Sequence, residues 1–240
     1  MSYTSLHGHS DFSNIRLLDC ISKPEQIIDR GFELGLKGVA ITDHESLSSF
    51  VRAEQYLKKK RAENEEWNNF KFIRGNEIYL CRNGLSKDNY VRGEDRFFHF
   101  ILLAKDAVGY EQLCELSSRA WKRSYKHFQI RVPTYYQDLI DVVGKNPGHL
   151  ITSSACLGSF LGNQILNAEA MDKAMLTCEA WIGRIKEIVG SENFYLELQP
   201  GVSKEQKLVD KALVQLSEMT DTPCIITTDH HYTKKEDRVS

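Results

Sequence analysis

Short β-rich runs alternate with amphipathic stretches along the whole chain, and this alternation limits the fold more than any other feature. Strand candidates fall at residues 3–6, 38–41, 70–75 (extending to 80), 97–103, 150–153, 194–199 and 224–227. They carry Val, Ile, Phe, Tyr and Thr and are bounded by polar residues, Gly or Pro. Val39-Ala40-Ile41 and Ile101-Leu102-Leu103 are almost wholly apolar, as strands buried on both faces of a parallel sheet are. Helical patterns lie between them. The first opens at Ser22-Lys23-Pro24-Glu25, with Ser22 as N-cap, Pro24 in the first turn and Glu25 completing a capping box. Others span 47–61, 106–122, 135–143, 168–189 and 204–218, each with apolar residues at helical spacing. Residues 81–96, with Asn83-Gly84 and Arg92-Gly93, read as a loop or hairpin. The whole implies an α/β chain of parallel strands with covering helices, and seven strands suggest a closed or nearly closed barrel.

Composition narrows the function classes. The 240 residues are 41% hydrophobic and 27% charged, the balance of a globular chain. Lys+Arg is 31 against Asp+Glu 33, a net charge of -2. This excludes a strongly basic chromatin-type binder but leaves room for a nucleic-acid enzyme with a local basic groove. No run is long and apolar enough to span a bilayer, so no membrane partner is expected. The six cysteines are scattered without a CxxC pair and read as reduced thiols of a cytoplasmic protein.

Metal-type side chains collect at the strand ends. His7 and His9 follow the first strand and His44 the second. Glu77 ends the third, His99 lies in the fourth, Cys156 follows the fifth, and Asp229 and His231 follow the seventh. In an α/β barrel the C-terminal strand ends converge on one pocket. His7-x-His9 and Asp229-x-His231 each skip one residue, which puts both side chains on one face of an extended segment. Imidazole, carboxylate and thiolate together suit Zn(II) first, with Mn(II) or Fe(II) as alternatives. One such pair is weak. Two pairs and a Thr42-Asp43-His44 at three strand ends are much stronger. Five of the eight histidines sit at these positions. His127 and His149 do not and read as structural or exposed. His230 should face away from its neighbours, and Glu197 is a spare carboxylate.

Leu6-His7-Gly8-His9-Ser10-Asp11-Phe12-Ser13 resembles the opening motif of the PHP (polymerase and histidinol phosphatase) superfamily. Leu17-Leu18-Asp19, Ala40-Ile41-Thr42-Asp43-His44, Gly75-Asn76-Glu77, Ser154-Ala155-Cys156-Leu157, Phe194-Tyr195-Leu196-Glu197-Leu198-Gln199 and Thr228-Asp229-His230-His231-Tyr232 follow in the family's order. The chain is most similar to the PHP domains of bacterial DNA polymerase III alpha subunits, and the match covers nearly all of it. That resemblance implies a distorted, seven-stranded, TIM-like β/α barrel and a single domain over residues 1–240, either excised from a longer alpha subunit or naturally short. It implies three divalent ions. His7, His9, Glu77 and Asp229 would hold one; Glu77, His99 and Cys156 a second; Asp19, His44 and His231 a third. Glu77, His99 and Asp229 would be the catalytic residues. Cys20 stands where the family usually has Gly.

The resemblance also implies a reaction: metal-dependent 3′→5′ exonucleolytic removal of nucleotides from a single-stranded DNA 3′ end. The partners would be the rest of the alpha subunit and the replisome. Two alternatives stay open, a phosphatase of the histidinol phosphatase type and a non-catalytic, metal-binding module that stabilises a polymerase. Arg119, Lys122, Arg123, Lys126 and Arg131, interleaved with Trp121, Tyr125 and Phe128, resemble a single-strand groove of charge and stacking platforms. The competing reading is a polar surface with aromatic anchors.

Overall fold

The computed structural model describes residues 3–14, 18, 20–127 and 132–237, the side chains of 87 and 125–127 excepted. Asp19 and Arg131, and the side chain of Lys126, therefore lie outside the described residues. The chain divides into two units. One comprises residues 1–77 and 228–240, the other 78–227.

In the first unit, Pro24 opens α1 (Pro24–Glu33), where its missing N–H costs nothing. The cap sits one residue later than the sequence suggests. Lys23 is the N-cap, and its N–H donates to Gln26 Oε1 at 2.8 Å. Strand β1 (Gly38–Ile41) is buried at every position. α2 (Phe50–Glu63) follows it, and β2 (Lys71–Cys81) begins in this unit. Strands β1 and β2 run parallel, from Gly38 opposite Lys71 to Ile41 opposite Arg74. Ile27, Ile28, Val39, Ile41, Ala53, Leu57, Trp67 and Phe70 form the core beneath them, with Phe32 stacked on Trp67 at 3.8 Å. Burying these side chains contributes roughly 1.5–3 kcal/mol for each large one. The expected strand at 3–6 is reduced to bridges. Ser5 pairs with Val39, and Gly8 pairs with His230. Backbone hydrogen bonds still tie the segment to β1 and its flanks, from Lys37 N to the Tyr3 carbonyl, Ser5 N to Gly38, Ala40 N to Ser5 and Thr42 N to Gly8.

In the second unit, the end of β2 pairs in parallel with β4 (Pro133–Tyr135), a strand too short to show a period in sequence. Beyond β2 the order is β3 (Phe98–Ala104), β5 (Leu150–Ser153), β6 (Phe194–Leu198) and β7 (Cys224–Ile226), giving seven strands among the described residues. The α/β class and the strand count agree with the expected PHP-type barrel. Its strand directions do not all agree, because β3 and β5 are antiparallel while β5, β6 and β7 run parallel. An apolar run such as Ile101-Leu102-Leu103 records burial on both faces, which either direction allows.

The helices of this unit are α3 (Ala107–His127), α4 (Tyr136–Leu139), α5 (Phe160–Leu166), α6 (Met171–Val189) and α7 (Lys204–Thr220). α4 continues as one π-turn, Ile140–Gly144. α5 had no periodic signal of its own, but Ser159 caps it, accepting from the Gly162 N–H at 3.0 Å. Phe100, Phe160, Trp181 and Phe194 form an aromatic core.

Candidate metal centre

Four side chains in the first unit converge on one point. His7 and His9 follow the Ser5 bridge, Glu77 lies in β2, and Asp229 sits beside the Gly8–His230 bridge. Both imidazoles are wholly buried, Glu77 is 1% exposed and Asp229 17%. His7 Nε2 lies 3.2 Å from His9 Nε2, 3.5 Å from Glu77 Oε2 and 3.2 Å from Asp229 Oδ1. His9 Nε2 lies 3.1 Å from both carboxylate oxygens. Bonds of about 2.0–2.2 Å to a tetrahedral ion separate the ligands by about 3.3–3.6 Å. The five separations therefore describe a cage of the size that zinc's nitrogen and oxygen ligands adopt. The donor set, two imidazoles and two carboxylates, also fits such an ion.

His44 extends the cluster. Its Nδ1 lies 2.9 Å from Glu77 Oε2, and its ring stacks on His9 at 4.2 Å. His9, His44 and His231 can each present a ligand atom to a common point. The His231 Nδ1 lies 3.0 Å from the Asp229 carbonyl and 3.7 Å from its Oδ1. Two positions here adopt the left-handed backbone region, Glu45 at φ 57° just after His44 and Asp229 itself at φ 45°. Such strain in non-glycine residues clusters at functional sites.

The electrostatics follow from crowding two carboxylates and several imidazoles into a largely buried cluster. Burial penalises a charged His9, but hydrogen bonds and charge from Asp229 and Glu77 outweigh it and lift the ring from 6.5 to about 9. Burial works against the Asp229 carboxylate too. His7 and His9 overcome it and hold the group below the usual carboxylate range. Burial and then the positive field of His9 and His7 pull His230 down to about 4.

His230 does not point at the cluster's ligand atoms but packs over Gly8. A Cβ at residue 8 would lie 1.9 Å from the His230 ring, so only glycine fits there. The sequence carries no local signal of this constraint, because the ring that fills the space at Gly8 is 222 positions away along the chain.

In the second unit, His99 of β3 and Cys156 after β5 form their own pair, with Nδ1 and Sγ 3.4 Å apart. The His99 N–H donates to the Gly158 carbonyl at 3.1 Å, and its ring lies 4.8 Å from that of Tyr79. Ala155, just before Cys156, is a third left-handed residue at φ 60°. Glu197 is buried at 1% exposure and accepts hydrogen bonds from Ser153 Oγ and Thr227 Oγ1 at 2.5 Å and from Gln199 at 3.0 Å. It is therefore a structural clamp between β5 and β7. His149 pairs with Asp106 at 2.8 Å, as a structural residue would. At Cys20, Asn14 Oδ1 accepts the backbone N–H at 3.0 Å and Asn14 Nδ2 donates to the carbonyl at 2.6 Å.

The basic stripe on α3 is largely engaged within the fold. Arg123 makes a bidentate pair with Asp138 at 2.6 Å and covers the Tyr135 ring. Arg119 pairs with Glu115 at 2.7 Å and approaches Asp138 and Asp141 at 3.7 Å. These arginines dock α3 on β4 and α4, a use the sequence spacing did not reveal. Lys122 and Trp121 are exposed.

The PHP domain family profile matches residues 5–201. The chain is 37% identical over 243 residues to the DNA-directed DNA polymerase of Bacillus phage SPbeta, covering 97% of the chain and 19% of that protein. It is 30% identical over 246 residues to the DNA polymerase III subunit alpha of Aquifex aeolicus, covering 98% and 19%. The chain thus spans about a fifth of the length of the curated relatives it matches. Its fold is similar to that of a protein from Bifidobacterium adolescentis assigned as a metal-dependent phosphoesterase, with TM-score 0.52 and 13% identity over 98% of this chain and 89% of that one. With a profile match across most of its length, the chain belongs to the PHP domain family.

Proposed function

We propose that the chain is a divalent-metal phosphoesterase domain working within a DNA polymerase, and that it removes nucleotides from a single-stranded DNA 3′ end. The observation that carries this reading is the convergence of His7 Nε2, His9 Nε2, Glu77 Oε2 and Asp229 Oδ1. Four ligand atoms from three separate segments meet within 4.8 Å of one another. The relatives named as DNA polymerases support the context. In this reading His7, His9, Glu77 and Asp229 hold one ion, and His44 and His231, with Asp19, hold a further one. His99 and Cys156 are ligands as well, which makes three ions, zinc first. When bound, such ions polarise phosphoryl oxygens and lower the pKa of water.

The chain's own residues prepare the site. Asp229, held in its charged form, stays an anion at neutral pH and offers Oδ1. Glu77 turns one oxygen toward three imidazoles, His7, His9 and His44. The buried histidines exclude bulk water, which strengthens each of these interactions. His230 is neutral at pH 7 and adds no charge of its own. Glu77, His99 and Asp229 are the residues we assign to catalysis.

The test is hydrolysis of a 5′-labelled single-stranded oligonucleotide, an aryl phosphodiester and a small phosphomonoester, each with and without chelator. Shortening from the 3′ end, stopped by chelator, is expected. Turnover confined to the monoester would favour a phosphatase. No turnover by a metal-replete chain would favour a structural module.

A further inference from the structure

We infer that Asp43 is a positioning residue that fixes the tautomer of His9 through Ser13. The inference rests on reading His9 as a metal ligand, and it assigns a task to a carboxylate that no ligand set uses. Asp43 is wholly buried, as are Ser10 and His9, and Ser13 is 3% exposed. The Asp43 side chain acts as an acceptor to two serines. The Ser10 N–H donates at 2.7 Å, Ser10 Oγ at 2.9 Å to both oxygens, and Ser13 Oγ at 2.9 Å.

Counting protons then decides the rest. Ser13 has one hydroxyl proton, and a hydroxyl–carboxylate bond is stronger than a hydroxyl–imidazole bond because the acceptor is charged. The proton therefore goes to Asp43. Ser13 Oγ has two lone pairs left. One accepts the His44 backbone N–H at 3.1 Å, which can only donate. The other faces His9 Nδ1 at 3.1 Å, so Nδ1 must carry the hydrogen. The neutral ring then has its lone pair on Nε2, the atom that faces His7, Glu77 and Asp229. One serine hydroxyl thus orients the ring of His9 and the backbone of His44, and Asp43 orients the serine. Ser10 to Ser13 form one 3-10 turn with its N-cap, where the Ser10 side chain accepts the Phe12 N–H at 3.3 Å. The turn gives the Ser-x-x-Ser spacing a physical role beyond the two histidines before it.

Asp43→Asn leaves only a neutral carbonyl at Oδ1, where Ser13 donates, and puts an amide donor at Oδ2, against Ser10 Oγ. With the charge gone the imidazole is the stronger acceptor, so Ser13 would turn its proton to His9 Nδ1 and select the wrong tautomer. Loss of an outer partner of this kind costs about 10–100-fold in metal affinity. The experiment measures zinc affinity by competition titration, and the His9 tautomer by nitrogen-15 NMR of histidine-labelled protein, in wild type, Asp43→Asn, Ser13→Ala and Ser13→Thr. Wild type should show Nδ1–H. Asp43→Asn and Ser13→Ala should each lose about 10–100-fold in zinc affinity, and the double variant should lose no more than the worse single one. Ser13→Thr keeps the hydroxyl and should stay near wild type. If Asp43→Asn is too unstable to purify, Ser13→Ala carries the same comparison.

The proposal is overturned if wild-type His9 carries its hydrogen on Nε2, or if both single variants bind zinc as wild type does. Failure of wild type to bind zinc would instead overturn the ligand reading. The tautomer of neutral His9 in the metal-free chain at high pH would still decide the relay, Nδ1–H supporting it and Nε2–H refuting it.

Discussion

The Nε2 atoms of the wholly buried His7 and His9 face each other 3.2 Å apart, and both lie against the same Asp229 oxygen. Two imidazole nitrogens approach head-on in this way when one proton lies between them or when both are aimed at a third species. Two carboxylate oxygens at the same spot make an ion the natural occupant, since it satisfies all four atoms at once.

Metal binding should depend on pH with a definite sign. In the metal-free chain His9 holds its proton up to about pH 9, and a ligand must lose its proton to bind. Zinc affinity should rise about tenfold per pH unit below about 9 and level off there, as one proton is released. The linked effect on the metal-free fold has the opposite direction. The His9 pKa is raised above its unfolded 6.5, so its stabilising contribution is complete below that pH and disappears as pH rises through 9. Competition titrations at pH 6, 7.5 and 9 check the first point and thermal melts in chelator the second. A flat affinity profile would contradict the assignment.

Glu77→Gln should damage the centre more than His231→Gln. Glu77 Oε2 lies within 3.5 Å of three imidazoles, whereas His231 is 27% exposed and 3.7 Å from Asp229 Oδ1. Elemental analysis after dialysis should find Glu77→Gln depleted of metal and His231→Gln only partly so. Equal retention in the two variants would refute the ranking.

Gly8→Ala should destabilise the chain by about 1–3 kcal/mol, the usual cost of forcing extra volume into a packed site. The added methyl would meet the His230 ring at 1.9 Å. A denaturant melt measures the loss. Gly8→Ala combined with His230→Ala should recover much of it, because the ring is the obstacle. No recovery would show that something other than the ring constrains residue 8.

How much of this was readable in advance depends on the range over which each feature is encoded. β1 begins and ends where its apolar run does, as a strand buried at every position should, whereas β5 keeps its expected bounds although Thr152 and Ser153 are polar, because their buried hydroxyls bond to the Asn193 carbonyl and to Glu197. The α1 cap was misplaced by one residue, since Ser22 and Lys23 differ only in which backbone turns helical first. Strand β4 is three residues long, too short for any period. The antiparallel pairing of β3 with β5 depends on how the chain returns between them, which side-chain patterning does not record. The ligand pairs could be read because each sits within three residues of its partner. The Asp43–Ser13–His9 relay could not, because its members are 30 positions apart and become neighbours only when β1 lies beside the first segment.

Zinc should shield Cys156 selectively. Its Sγ is half-buried and 3.4 Å from His99 Nδ1. Burial pushes the Cys81 and Cys178 thiols up to about 12, so both should stay inert in either state. Alkylation mapped by mass spectrometry, with and without chelator, should show Cys156 labelling at least about tenfold faster once metal is removed. Equal rates would remove Cys156 from the ligand set.

The most direct test of the account is anomalous diffraction at the zinc edge from crystals grown with zinc. The account predicts a strong peak among His7 Nε2, His9 Nε2, Glu77 Oε2 and Asp229 Oδ1, within about 2.0–2.2 Å of each. A peak elsewhere with this cage empty, or no peak at all, would contradict it.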